Sequence, residues 1–186
     1  MTIVDGRRAV GDRNRAAILE AAIGVLGAEP DAGIAEVAAA AGVGRATVYR
    51  HFASREALIE ALRLYASEEA RLRFAEARVD DGDPVEALER MVTAMLALGD
   101  RYRVIFPQDQ QPKPRRAEVL LKPLTTLIAR AQAEGAIDPG VPPDWVIATL
   151  RALLRTAVGE IEARRLTREA APARVVRTLV RGVGSG

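Results

Sequence analysis

The sequence predicts an all-α protein, and three observations predict it. Alanine and leucine are abundant while aromatic residues make up only 4% of the 186-residue chain, and a chain poor in aromatic residues and rich in straight or small apolar ones favours helices over sheets. Apolar residues recur along most of the chain at spacings of three and four, the repeat of one helix face. Runs holding Gly, Pro or Asp separate these stretches, as expected where helices end and begin. With 49% hydrophobic and 28% charged residues and no low-complexity tract, the chain is expected to fold around a real core as one or two small domains.

Residues 1–12 mix Gly, Asp and Arg without periodicity and are expected to form a flexible N-terminal arm. From about residue 13, Ile18, Ala21, Ala22, Val25 and Leu26 follow the i, i+3, i+4, i+7, i+8 pattern of an amphipathic helix that closes near Ala28. Pro30 and Gly33 mark a connection, and Ile34, Val37, Ala38 and Ala41 begin a second helix that lacks a Ser, Thr or Asp cap at Gly33. Gly42 supplies a break that the left-handed conformation can make in one residue, so that a third helix starting near Arg45 crosses the second steeply. Ser54, with Glu56 in the first turn, caps a connector helix over residues 55–78 through Leu58, Ala61, Leu62, Tyr65, Ala66, Glu69 and Leu72.

Asp83-Pro84-Val85-Glu86 is a capping box with proline at the first helical position. Leu88, Met91, Val92, Met95 and Leu96 form the buried face of the helix that follows. A short helix is expected from Arg101 to Phe106, then a loop from Pro107 to Pro114. The next helix, from about Arg115 to Glu134, carries Leu120, Leu121, Leu124, Leu127, Ile128 and Ala131, with a kink expected at Pro123 and an end at Gly135. Val146, Ile147, Leu150, Leu153, Leu154, Ala157, Val158 and Ile161 mark a helix from about Asp144, and Val175, Val176, Leu179, Val180 and Val183 a last one from near Pro172. The expected total is about nine helices: a reading head over residues 13–54 and a helical body over residues 55–186.

The stretch Ile34–Phe52 has the layout of a helix-turn-helix DNA reader. Val48 and Phe52 lie four apart and face inward, which leaves Arg45 with Tyr49, Ala46 with Arg50, and Thr47 with His51 on three outward faces. No acid occurs between Glu36 and Glu56, while Arg45, Arg50 and Arg55 do. A helix of this size, roughly 10 Å long, fits a major groove about 12 Å wide. Arg7, Arg8, Arg13 and Arg15 are further cations suited to phosphate or a minor groove. Net charge alone does not announce nucleic acid, because it is only +2. The pI near 9.4 reflects that every basic residue except Lys113 and Lys122 is arginine.

The string GVGRATVYRHFASREAL resembles the recognition segment of the tetracycline-repressor (TetR) family of transcriptional regulators, and RNRAAILEAAIGVLGAE resembles that family's first helix. The resemblance implies that Thr47, Tyr49, His51 and Arg55 grip phosphates, and that Arg45 and the backbone edge at Ala46 lie nearest the bases. Arg50 stays open between a base, a phosphate and an acidic partner. Gly33, Ala35 and Gly44 depart from the family pattern, which has hydroxyls at the two glycine positions and a basic residue at the alanine. The resemblance further implies a homodimer through the last two helices, an inverted-repeat operator in double-stranded DNA, and a small-molecule effector that releases a repressor. Met91, Met95, Tyr102, Phe106, Leu121, Leu124 and Trp145 are the candidates for an effector pocket, and their apolar character suits an apolar or weakly polar molecule. The competing reading is a helical ligand- or partner-binding dimer with a weak or vestigial DNA-binding head, supported by Gly33, Ala35 and Gly44.

An enzyme is not expected. The chain has no cysteine and a single histidine, which falls in the reading segment. It shows no glycine-rich phosphate loop and no Glu-x-x-His pair, and solvated charge accounts for Glu56, Glu60, Glu68, Glu69, Asp80, Asp81 and Asp83. Neither cofactor nor metal is expected. The lack of cysteine, of a signal-peptide core and of a run near the ~20 apolar residues of a membrane span leads to the expectation of a cytoplasmic protein with no membrane partner.

Overall fold

The computed structural model describes residues 3–102 and 114–184. Among them the chain forms eight helices and no strand: α1 (Ile3–Ala28), α2 (Ile34–Ala40), α3 (Arg45–His51), α4 (Arg55–Glu76), α5 (Pro84–Tyr102), α6 (Pro114–Ala133), α7 (Pro143–Glu162) and α8 (Ala171–Val183). The all-α expectation holds. The difference in count falls at Arg101, where a separate short helix was expected: Arg101 and Tyr102 instead finish α5, and residues 103–113 lie outside the described residues. The helices divide into two units. The first gathers the chain up to Glu68 with Arg101 and Tyr102, and the second gathers Glu69–Asp100 with α6, α7 and α8.

In the first unit α1 begins at Ile3, well before residue 13. The expected arm contains Gly6 and Gly11 but no proline. Glycine weakens a helix by about 1 kcal/mol without blocking its propagation from a nucleated segment. That nucleus is Ile18, Leu19, Ala22, Ile23 and Leu26, all buried. Leu58, Ala61, Leu62 and Ala66 of α4 are buried in the same unit, which carries its core past the expected boundary at residue 54. The Glu20 carboxylate of α1 accepts from the Tyr65 hydroxyl at 2.6 Å and from an Arg101 Nη at 2.7 Å, one oxygen for each.

Along α4 the buried residues step by four from Leu58 through Leu62, Ala66 and Ala70 to Phe74. A strict four-residue step drifts around an α-helix of 3.6 residues per turn. The buried face therefore rotates away from Leu72, which is exposed although the period of the first half placed it inward.

The second unit is built on one apolar cluster. Leu88, Met91 and Val92 of α5, Leu124, Leu127 and Ile128 of α6, Val146 and Leu150 of α7, and Val175, Val176 and Leu179 of α8 are all buried in it. Asp83 Oδ1 caps α5 by accepting from the Val85 and Glu86 amides at 2.8 and 3.1 Å, as the capping sequence predicts. Gly135, at φ 79°, ends α6, with the Ala136 amide returning to the Ala131 carbonyl at 2.8 Å. Pro123 has no N–H to offer the Val119 carbonyl, yet α6 runs through it as one helix.

Two connections in this unit are tied from outside. Arg90 of α5 donates its Nε to the Ala77 carbonyl at 2.8 Å, and one Nη to the carbonyls of Arg78 and Asp81 at 3.1 and 2.8 Å. It thus satisfies the end of α4 with a cation, the sign that a helix C-terminus favours. Arg78 sits there at φ 46°, a left-handed conformation costly for a residue with a side chain. Gln132 of α6 does the same for the α6–α7 connection, donating Nε2 to the carbonyls of Asp138 and Val141 at 3.1 and 2.8 Å. Arg90→Ala is expected to cost about 2 kcal/mol by leaving these carbonyls to water and the strained turn unsupported. Urea unfolding measures it, and an unchanged midpoint would show that the turn holds itself.

Candidate nucleic-acid interface

Two seven-residue helices form the candidate interface, and their ends show why they form where they do. α2 closes on Gly42, at φ 66°. The Val43 amide bonds back to the Ala38 carbonyl at 3.0 Å and the Gly42 amide to the Ala39 carbonyl at 3.1 Å, the doubled closure of a Schellman turn. At the front of α2 the Gly33 amide donates to Glu36 Oε2 at 3.0 Å, the half of a capping box that survives when the cap residue has no side chain. α3 starts after Gly44, which is extended at φ −72° and ψ 150° and offers no side-chain cap. It ends at Phe52, whose amide still reaches the Val48 carbonyl.

Val48 is 0% exposed and Phe52 3% exposed, so the inward stripe is where the sequence placed it. The Arg15 guanidinium of α1 lies 5.5 Å from the centre of the Phe52 ring, a cation on an aromatic face. That geometry gives Arg15 a role inside the head. Past α3, the Ser54 hydroxyl accepts from the Ala57 amide at 3.2 Å and caps α4. Ser54, aided by the backbone amide of Glu56 itself and more weakly by Arg55, holds the Glu56 carboxyl below its ordinary range. Glu56 is thus charged at neutral pH, beside the positive end of α4.

The candidate contact residues sort into three groups. Arg45, Ala46, Tyr49 and Arg50 are exposed, with Tyr49 at 53%. Neither Arg45 nor Arg50 has a hydrogen bond or ion pair among the described residues, so an acidic partner for Arg50 is not found. Thr47 and His51 are half-buried, and the His51 Nε2 is buried with no hydrogen-bond partner among the described residues. Arg55 stands apart. Its Nε donates to the Ala32 carbonyl at 3.1 Å and its Nη2 to the Pro30 carbonyl at 2.6 Å, so two of its donors are already engaged. The Gly33–Glu36 bond was readable in the sequence from the three-residue spacing. The Arg55 engagement had a weaker signal, a cation in the first turn of a helix, where the dipole favours acids.

The pocket candidates are distributed over both units. Met91 and Leu124 are fully buried in the second unit's cluster, with Met95 and Leu121 partly buried against it. Tyr102 is buried in the first unit, where its hydroxyl accepts from Arg101 Nε at 3.3 Å. Phe106 lies outside the described residues. Trp145 is 64% exposed, because Val146, Ile147 and Leu150 take the inward face of α7 and leave position 145 to solvent. Among the described residues no three His, Cys, Asp or Glu side chains gather as a metal site. No described helix is long and apolar enough to cross a membrane.

Residues 18–62 match the sequence model of the bacterial regulatory proteins of the tetR family. The chain is 31% identical over 148 residues, 77% of each chain, to the HTH-type transcriptional repressor LfrR of Mycolicibacterium smegmatis. The chain belongs to the TetR family. It is also 29% identical over 153 residues, 74% of each chain, to the HTH-type transcriptional regulator UidR of Escherichia coli.

Among solved structures, LfrR from Mycobacterium smegmatis in complex with proflavine superposes with a TM-score of 0.72 at 27% identity, covering 94% of this chain and 99% of that one. A TetR-family regulator from Marinobacter aquaeolei shares the fold with a TM-score of 0.75 at 20% identity, covering 96% and 100%. This TetR-family chain is thus a DNA-binding transcriptional regulator with its reading head at the N-terminus. The matched segment runs from the buried Ile18 of α1 to the buried Leu62 of α4 and contains the whole α2–α3 pair.

A methyl group built on Gly44 meets nothing within 4 Å, and the backbone there suits an N-cap. Gly44→Ser is therefore expected to stabilise the protein by about 0.5 kcal/mol through the added cap and the stiffer unfolded chain. Chemical denaturation checks this, and a lower midpoint would mean that the site needs glycine.

Proposed function

We propose that this regulator binds an inverted-repeat operator as a homodimer, represses the genes behind it, and leaves the DNA when a small apolar or weakly polar molecule binds its body. The observation that carries the reading is the outward side of α3: Arg45, Ala46, Tyr49 and Arg50 stand exposed around the fully buried Val48, with both guanidinium groups unengaged among the described residues. Arg45, at the front of the helix, has the paired donors that suit the two acceptors of guanine. The Ala46 backbone edge lies beside it, while Thr47, Tyr49 and His51 suit phosphate oxygens and Arg50 suits a base or a phosphate.

Such a short helix gives too little contact for selective binding alone, so two copies on one duplex follow, and two-fold symmetry makes the operator an inverted repeat. Leu154, Val158 and Ile161 of α7 and Val180 of α8 remain only partly buried in the single chain, which supports pairing through the last two helices. Small-molecule release takes its support from the relative crystallised with proflavine. Population shift is the mechanism: an effector that favours one body conformation changes the spacing of the two heads.

Selection of bound sequences from a random DNA pool by the purified protein is expected to enrich an inverted repeat. On that repeat Arg45→Ala should relax preference at one base pair per half-site, costing about 1–3 kcal/mol there. Thr47→Ala should weaken all sequences alike. A pool that stays random with no added ligand would sink this reading in favour of a partner-binding dimer.

A further inference from the structure

The geometry points to Arg55 as the residue that closes the helix-turn-helix into a ring, positioning the reading helix without itself holding a phosphate. The α2–α3 pair is bounded on one side by the Pro30–Gly33 connection and on the other by the start of α4. Arg55, the first residue of α4, reaches back over that whole interval. Its two acceptors, the carbonyls of Ala32 and Pro30, lie 23 and 25 residues earlier in the chain. The whole α2–α3 pair therefore sits inside a segment whose two ends are stapled by a single guanidinium.

Three further observations favour this role over phosphate gripping. A cation at the first position of a helix opposes the helix dipole, and the two carbonyls offset that cost within the protein itself. Nε and Nη2 share one edge of the planar fork, and both are used, which leaves that edge of Arg55 unavailable to a phosphate. The acceptors, on Pro30 and the buried Ala32, lie just before Gly33, so the staple fixes the approach to α2, and α2 in turn packs on α3. The Phe52 ring under Arg15 and the Ser54 cap hold the other end of the ring to α1 and α4.

The inference rests on the DNA-binding reading only for its affinity arm. Full-length protein, Arg55→Ala and Arg55→Lys are compared in thermal unfolding without DNA, in hydrogen exchange, and in salt titrations of binding to a mixed-sequence DNA duplex well below every unfolding midpoint. Arg55→Ala is expected to lower the midpoint by at least about 3 °C. It should also speed exchange at the amides of Ala32 and residues 34–38, and weaken DNA binding at least about fivefold with an unchanged salt slope.

Arg55→Lys keeps the charge and loses the fork, so it should resemble Arg55→Ala in exchange and affinity. A salt slope that falls by about one unit in Arg55→Ala, with exchange unchanged and lysine restoring affinity, would overturn the proposal in favour of a phosphate contact. Faster exchange and a lower midpoint with unaltered affinity would reduce Arg55 to a merely structural residue and overturn it as well. If the parent protein binds no DNA at all, the reading of the head fails separately, and the exchange and midpoint arms still decide whether the ring is closed by Arg55.

Discussion

Two helices of seven residues are each far below the length at which a helix persists alone in water. The burial of Val48 and Phe52 is therefore the interaction on which the reading head depends. A single apolar side chain on α3 and the aromatic ring that ends it hold that helix to the rest of the unit. Arg45, Ala46, Tyr49 and Arg50 are then released to face outward, while Thr47 and His51 stay half-buried. The same contact sets orientation, because the inward stripe fixes which side chains can meet DNA and leaves Arg45 and Arg50 together on the open side. Gly42 completes the arrangement by letting the chain reverse within the short connection of residues 41–44 between scaffold and reader.

A second principle runs through the molecule. Several of the described connections hold backbone groups that no helix satisfies. Long side chains from neighbouring helices supply the missing donors: Arg55 to the connection before α2, Arg90 to the one after α4, and Gln132 to the one after α6. Local devices work alongside these ties or in their place, as in the Asp83 cap of α5 beside the Arg90 tie and the Arg165–Glu160 pair beside the left-handed Arg164 at the end of α7. That arginine is the ordinary donor at these places matches a chain in which it replaces lysine almost everywhere. Its planar fork reaches two carbonyls at once, which an ammonium group does less well.

Most of the fold was legible because it rests on local periodicity. The faces of α5 and α6, the Asp83 cap, the Gly135 end and the Gly42 turn follow from spacing and from single residues with one conformational use. The misses are places where a longer-range term decides. The start of α1 depends on a nucleus beyond residue 17, Leu72 on drift in the phase of the buried face, and Trp145 on which side of α7 its neighbours occupy. In the reading head, residue types and their outward positions were readable, since they belong to one short helix. For Arg55 only its misplaced charge in a first turn was readable, and its partners were not, because they are main-chain oxygens, which every residue has and no sequence pattern marks.

Main-chain acceptors have a consequence for how this chain tolerates change. The carbonyls of Pro30, Ala32, Ala77, Asp81, Asp138 and Val141 persist whatever side chain each position carries. The connections are therefore free to diversify in sequence while keeping their geometry, and the constraint is displaced onto three donors situated elsewhere in the chain. In a comprehensive substitution map, the connections are expected to be permissive and residues 55, 90 and 132 intolerant, so that the most loop-like positions are held by residues that belong to helices.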